Sequence, residues 1–263
     1  MLRSGSGQNT GGGDGLRYPI YAAGRIIRAV LDGTRDVHYP AAMPLPIRCL
    51  LGLVTALVIP AALSAQSLAD SGTFIIRRSG DTVATERFSR SATALHGTLA
   101  IHDGRNTSQM YRAVIAPDAT LPLIEVTVRE DADSGRTKGH VVQQARIIFR
   151  EDSAAVDDIN GGGLQTRVLG THRGAIPYLN LSFALLEQAV RRSRSGPSPA
   201  DQVPFFNLGG GQTVEGKVAT MGTDSLRVAI GTVEFHLRVA PDGRVLGGRI
   251  PAQNLVVDRL GGS

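Results

Sequence analysis

From residue 72 onward, apolar and polar residues alternate in short runs separated by Gly, Asp, Asn, Ser and Pro, the period-two signature of half-buried strands. Runs of this kind cover 72–78, 82–89, 94–102, 108–116, 121–130 and 139–150. In the second half they recur at 164–172, 213–221, 225–231, 232–240, 245–251 and 254–259. In LPLIEVTVRE, for example, Ile124, Val126 and Val128 alternate with Glu125, Thr127 and Arg129. Ser79-Gly80-Asp81, Asp103 to Asn106, Pro117-Asp118 and Pro241-Asp242-Gly243 supply the turns. About a dozen sequential strands of this length predict a mainly β domain, a curved antiparallel sheet or half-barrel meander. The stretch from Asp152 to Gly163 is less regular and reads as a loop.

A different period appears once. GAIPYLNLSFALLEQAVRRSR (174–194) places Leu179, Phe183, Leu186 and Val190 on one helical stripe, widened by Leu185 and Ala189. Pro177 suits a first turn and Gly196-Pro197 a stop, so a helix is predicted over about 176–194. Asn180, Glu187, Gln188 and Arg191 form its polar face, and Arg191, Arg192 and Arg194 sit where the helix dipole favours cations. One long amphipathic helix among many strands must cover the sheet or plug a barrel. SGPSPADQVP (195–204) connects it to the second run of strands; a division near Gly196 into two smaller sheets is the alternative to one domain over 66–263.

The first 65 residues change the picture. Residues 1–42 are rich in Gly, Ser and Arg without lasting periodicity and read as disordered or as a mis-assigned start. Residues 43–65 read as a signal peptide: Arg48, then the apolar run CLLGLVTALVIPAAL, then small residues at Ser64-Ala65. That run is shorter than the roughly 20 residues a membrane span needs. The expected product is a periplasmic or secreted domain with no stable transmembrane span after cleavage; an uncleaved signal anchor is the alternative. Cleavage would remove six of 28 basic and three of 23 acidic residues, leaving 22 against 20. The excess charge behind the pI of about 9.9 then largely disappears, which argues against a nucleic-acid partner. Cys49, the single cysteine, lies at the start of the apolar run, so the mature chain would have no disulfide and no thiol chemistry.

Candidate chemistry is sparse. His96, His102, His140, His172 and His236 show no ligand spacing, so no metal site is expected. Gly211 to Lys217 fits GxxxxGK, but Val218 stands where a Mg²⁺-binding hydroxyl belongs and the segment runs into a strand. Asp131-Ala-Asp133-Ser-Gly135 lacks the sixth-position glycine and final Glu of a calcium loop, and reads as a turn. No G-x-S-x-G elbow occurs, and Asp157-Asp158 sit among glycines as an exposed loop would. No catalytic residue, cofactor or enzymatic activity is expected. The remaining feature is apolar: Leu179, Phe183, Leu186 and Val190, with Phe205 and Phe206, either fill the core or line a site for a lipid or other apolar ligand between sheet and helix.

GDTVATERF places Gly80, Val83, Glu86 and Phe88 in a G-x-x-V-x-x-E-x-F strand. With the signal peptide, the meander and the covering helix, the chain resembles periplasmic lipoprotein-carrier domains of the LolA/LolB type, β half-barrels that hold acyl chains on the concave face. The resemblance implies export and an apolar ligand, and it carries over no functional residue. Two functions lead: an exported non-enzymatic domain that binds a lipid or another apolar small molecule, or a cell-envelope structural or protein-partner-binding module with a fully packed interior; a hydrolase-like enzyme with dispersed residues comes last, since no nucleophile or metal motif is present.

Overall fold

The computed structural model describes residues 70–102, 106–130, 139–195 and 201–261, all within one compact unit, Gln66–Ser263. The readings of 1–42 as disordered or mis-assigned and of 43–65 as a signal peptide lie outside the described residues.

Among the described residues, fifteen strands form one sheet. The first eight are β1 (Asp70–Arg78), β2 (Asp81–Arg90), β3 (Ala94–Ile101), β4 (Thr107–Val114), β5 (Leu123–Glu130), β6 (His140–Phe149), β7 (Ser153–Asn160) and β8 (Gly163–Gly170). A short β9 (Ile176–Tyr178) and the helix α1 (Phe183–Arg194) follow. The chain then completes the sheet with β10 (Gln202–Asn207), β11 (Thr213–Thr220), β12 (Ser225–Ile230), β13 (Val233–Val239), β14 (Val245–Ile250) and β15 (Leu255–Leu260). Spatial order is β8 through β1, then β15 back through β9. From β1 in the middle of the sheet the chain runs to one edge, crosses through β9 and α1, and returns from the other edge to pair β15 with β1. Every pairing is antiparallel except β9 with β10. The sheet is strongly curved and barrel-like without closing. Near its two ends Thr171 Oγ1 lies 2.7 Å from Thr213 Oγ1, and His172 Nδ1 lies 2.6 Å from a Glu215 carboxylate oxygen.

Hairpin chemistry explains the local course. Between β1 and β2, Ser79 and Gly80 have φ of 53° and 99°, the left-handed pair that a two-residue turn needs. Inward residues of successive strands build one core: Phe74 and Phe88 stack at 5.4 Å, and Phe183 of the helix packs on Phe74 at 5.7 Å and on Phe235 at 6.2 Å. Two glycines make room for rings. A side chain at Gly97 would overlap the Tyr111 ring, and one at Gly216 would overlap Phe205.

The mainly β architecture agrees with the alternation, and three strands exceed it. β7 occupies the stretch read as a loop, so Asp157 and Asp158 lie in a strand, bonded to Thr166 Oγ1 at 2.8 Å and Gln143 Nε2 at 3.1 Å. β10 extends from the end of the Ser/Pro/Gly connection, and β9 lies inside the segment read as helix. The helix starts at Phe183, not near 176, because Ile176–Tyr178 pair with β10 and Leu181 has φ of 65°, which no right-handed helix accommodates. Twelve residues make it about 18 Å long at 1.5 Å per residue.

Candidate functional site

The helix is also far more enclosed than an amphipathic surface helix. Phe183 to Val190 are buried without interruption, together with Ser193. Glu187 and Gln188, read as part of the helix's polar face, are 0% and 1% exposed. The curved sheet wraps far enough that most of the polar stripe also meets protein, leaving Arg191 and Arg192 half-buried and Arg194 at the surface. A helix so enclosed must have its polar side chains satisfied from the sheet, since an unpaired buried polar group costs about 1–3 kcal/mol.

Two carboxylates supply most of these ties, and Gln188 Nε2 donates to the Ala119 carbonyl at 2.9 Å. Glu86 of β2, fully buried, caps the helix from outside. One of its oxygens accepts from the Phe183 and Ala184 amides at 2.7 and 2.9 Å. The other accepts from Ser182 Oγ at 2.5 Å and Tyr111 Oη at 2.6 Å. Ser182 is the N-cap, and its hydroxyl also accepts from Leu185 N at 3.4 Å. Burial raises the Glu86 pKa above its usual range, and the four donors oppose that shift. Burial, the neighbouring Glu86 charge and the bond to it push Tyr111 well above the ordinary phenol value.

Glu187, one turn along, is held by cations. It accepts from Arg90 Nη1, from Arg191 Nε at 3.2 Å and from Arg259 Nη1 at 2.9 Å, and also from the Val245 amide at 2.8 Å. Asp70 ties the same three arginines, lying 2.5 Å from Arg259 Nη2, 3.4 Å from Arg191 Nη2 and 3.7 Å from Arg90 Nη1. Arg90 also donates to the Ala184 carbonyl at 2.8 Å. The guanidinium of Arg259 sits 4.9 Å from the Phe88 ring centroid, a cation–π distance. Burial lowers the Arg90 pKa, and the Glu187 charge counters it.

A serine, a tyrosine and a carboxylate within hydrogen-bonding reach can resemble nucleophile and base. Here each carboxylate oxygen already takes two donors, no member is exposed, and neither cavity described below touches the group. Its chemistry is that of a helix cap.

The residues singled out as ligand-lining come together in one core. Phe183, Leu186, Val190, Phe205 and Phe206 are buried, and Leu179 packs half-buried against them. Phe183 packs on Phe74 and Phe235, Phe205 on Tyr178 and Phe206 on Phe149. A void of about 20 Å³ beside Phe206, bounded by β6–β8 and the β10–β11 turn, holds at most one water. A larger groove of about 370 Å³ lies across β12–β15 on the opposite, outer face, bordered by Met221, His236, Arg238, Arg249 and Val256. It shares no residue with the predicted lining.

The buried polar groups had a signal in the sequence. Along β2, Ala84, Glu86, Phe88 and Arg90 share one parity, and that parity is the inward one. A Glu and an Arg alternating with core residues mark an interior polar network. Asp70 and Arg259 carry no comparable signal, because only the β1–β15 pairing brings them together.

Among solved structures, the chain is similar to a DUF1089 family protein from Pseudomonas aeruginosa, at 13% identity over 66% of this chain and 92% of the other, with a TM-score of 0.46. It is also similar to a β-barrel-like protein, a domain of unknown function DUF1849, from Brucella abortus, at 9% identity over 75% and 98%, with a TM-score of 0.48. No family model and no curated protein matches the chain.

Proposed function

We propose that the chain is an exported, non-enzymatic domain that acts as a structural or protein-partner-binding module of the cell envelope, with its interior filled by its own helix. The carrying observation is that α1 occupies the concave face and is itself buried from Phe183 to Val190. The space that a half-barrel carrier would give to an acyl chain is taken by Phe183, Leu186 and Val190 against Phe74, Phe205 and Phe235. Fully burying each such side chain stabilises the fold by about 1.5–3 kcal/mol, so a ligand would have to displace several of them at once. The polar ties of Glu86 and Glu187 to the same helix oppose that displacement further.

The competing reading, a carrier of lipid or another apolar molecule between sheet and helix, rests on the curvature of the sheet and the LolA/LolB-type resemblance. Native mass spectrometry of protein purified from the envelope, together with a fluorescent fatty-acid titration, separates the two. The packed module should be ligand-free and leave the probe unbound. A co-purifying lipid lost in Phe183→Asp would establish the carrier instead.

A further inference from the structure

At one end of the sheet, β8 pairs with β7 and, among the described residues, with no strand on its other side. All its residues are exposed except half-buried Leu169, which packs over Gly211. Such an edge offers a row of backbone N–H and C=O groups to any further strand, and natural proteins usually blunt it with proline, lysine or a bulge. GLQTRVLG has neither proline nor lysine, its register with β7 is unbroken, and its one charge, Arg167, lies on the inner face beside Val156 and leaves the outer row apolar around Thr166.

The free backbone groups follow from the hairpin. Asn160 and Gly163 face each other across the two-residue turn, so hydrogen-bonded pairs recur at Asp158↔Gln165 and Val156↔Arg167. Leu164, Thr166 and Val168 therefore direct their N–H and C=O away from β7. Their side chains all lie on the outer face, in register with Ile159, Asp157 and Ala155. Leu164 is 65% exposed and Val168 71%, the highest values among the large hydrophobic residues described. Behind Val168 the same row continues through Ala155, Ile148, Leu123 and Val114, an outward apolar band that ends at the open edge.

We infer that β8 pairs antiparallel with β8 of a second copy of this chain, about a two-fold axis at Thr166. In that register both outward apolar residues of the strand find an apolar partner. Leu164 then stands directly opposite the partner's Val168, and Val168 opposite the partner's Leu164, as hydrogen-bonded cross-strand pairs. Arg167 meets the partner's Gln165, whose neighbour on β7 is an aspartate, so the cation faces a polar row that ends in a carboxylate. Moving the axis to Arg167 would oppose two guanidiniums, and moving it to Gln165 or Val168 would leave Leu164 without an apolar partner. With the axis at Thr166 about six new backbone hydrogen bonds form, and the apolar bands of the two copies become continuous. An unrelated strand would gain nothing from this self-matching, which is why a second copy is the occupant. The assembly does not depend on whether the interior binds a ligand.

Sedimentation velocity of the purified protein across a concentration series tests the pairing, with amide hydrogen exchange read at single residues. The expected result is a reversible monomer–dimer equilibrium in which the Leu164, Thr166 and Val168 amides become protected as the dimer fills. Thr166→Pro, which removes an edge N–H, should weaken association at least tenfold, about 1.4 kcal/mol. Leu164→Lys with Val168→Lys, which leaves that backbone intact, should do the same while thermal unfolding of the monomer stays unchanged. Thr166→Val should associate as the native protein does. A monomer at every concentration, a dimer indifferent to Thr166→Pro, or protection confined to other strands would overturn the inference.

Discussion

Glu86 and Glu187 are both fully buried, and both tie the same helix to the sheet, yet by opposite means. Glu86 is surrounded by neutral donors: two hydroxyls and the first free amides of α1, where the partial positive charge of the helix end favours an anion. Glu187 is surrounded by guanidiniums, with Asp70 sharing the load. The first arrangement leaves a carboxylate whose ionisation burial disfavours. The second leaves a cluster in which removing one charge strands several others. A polar contact inside this curved sheet is therefore worth what its loss would expose, and not its own bond strength.

The contrast can be broken in order of size. Glu187→Ala should destabilise the protein by about 3–5 kcal/mol, because Arg90 and Arg259 stay buried with only Asp70 as counter-charge. Urea unfolding measures it, and a loss below that of a surface substitution would mean that the arginines find solvent. Glu86→Gln keeps the volume but gives the Phe183 and Ala184 amides a poorer acceptor; a loss of about 1–3 kcal/mol is expected in the same assay. Ser182→Ala should cost about 0.5–2 kcal/mol, the usual range for an N-cap, and less if Glu86 compensates for it.

The smallest effect is the pH dependence. Because the folded-state pKa of Glu86 lies above the usual 4.5, the folded protein holds more protons than the unfolded chain between the two values. The stability contributed by Glu86 is therefore fully present below about pH 4.5 and is lost as pH rises through the folded value. Native protein should gain stability relative to Glu86→Gln on acidification through this window. An unfolding free-energy difference that stays flat, or runs the other way, would show that the four donors outweigh burial.

Particular residues show how far the sequence reaches. Ile124-Glu-Val126-Thr-Val128 announces β5, and its sheet partners can be placed by their turns, because alternation and turn chemistry are local. The helical stripe through Phe183, Leu186 and Val190 was also legible, and all three are core. Pro177 misled: its fixed φ suits a helix start as well as a short strand, and the parallel pairing with β10 that decides the matter is contributed by residues almost 30 positions away. β7 was obscured by Asp157, Asp158 and the glycines after it, whose loop preference yields to pairing on both sides by β6 and β8. Glu187 was legible only as a residue of the polar face, because a single helix face cannot report how far a sheet will wrap around it.

What the sequence determined by itself was the set of periods: two along the strands, 3.6 in one helix, and small or left-handed residues at the turns. Those follow from each residue's own backbone preferences and its near neighbours. Only the tertiary structure decided that β1 and β15 close the middle of the sheet, that the helix is buried on nearly every side, and that Asp70, Arg90, Glu187 and Arg259 share one network. The physical reason is curvature. A fifteen-stranded sheet that curls turns the outside of its helix into interior, and no local pattern records how tightly it will curl.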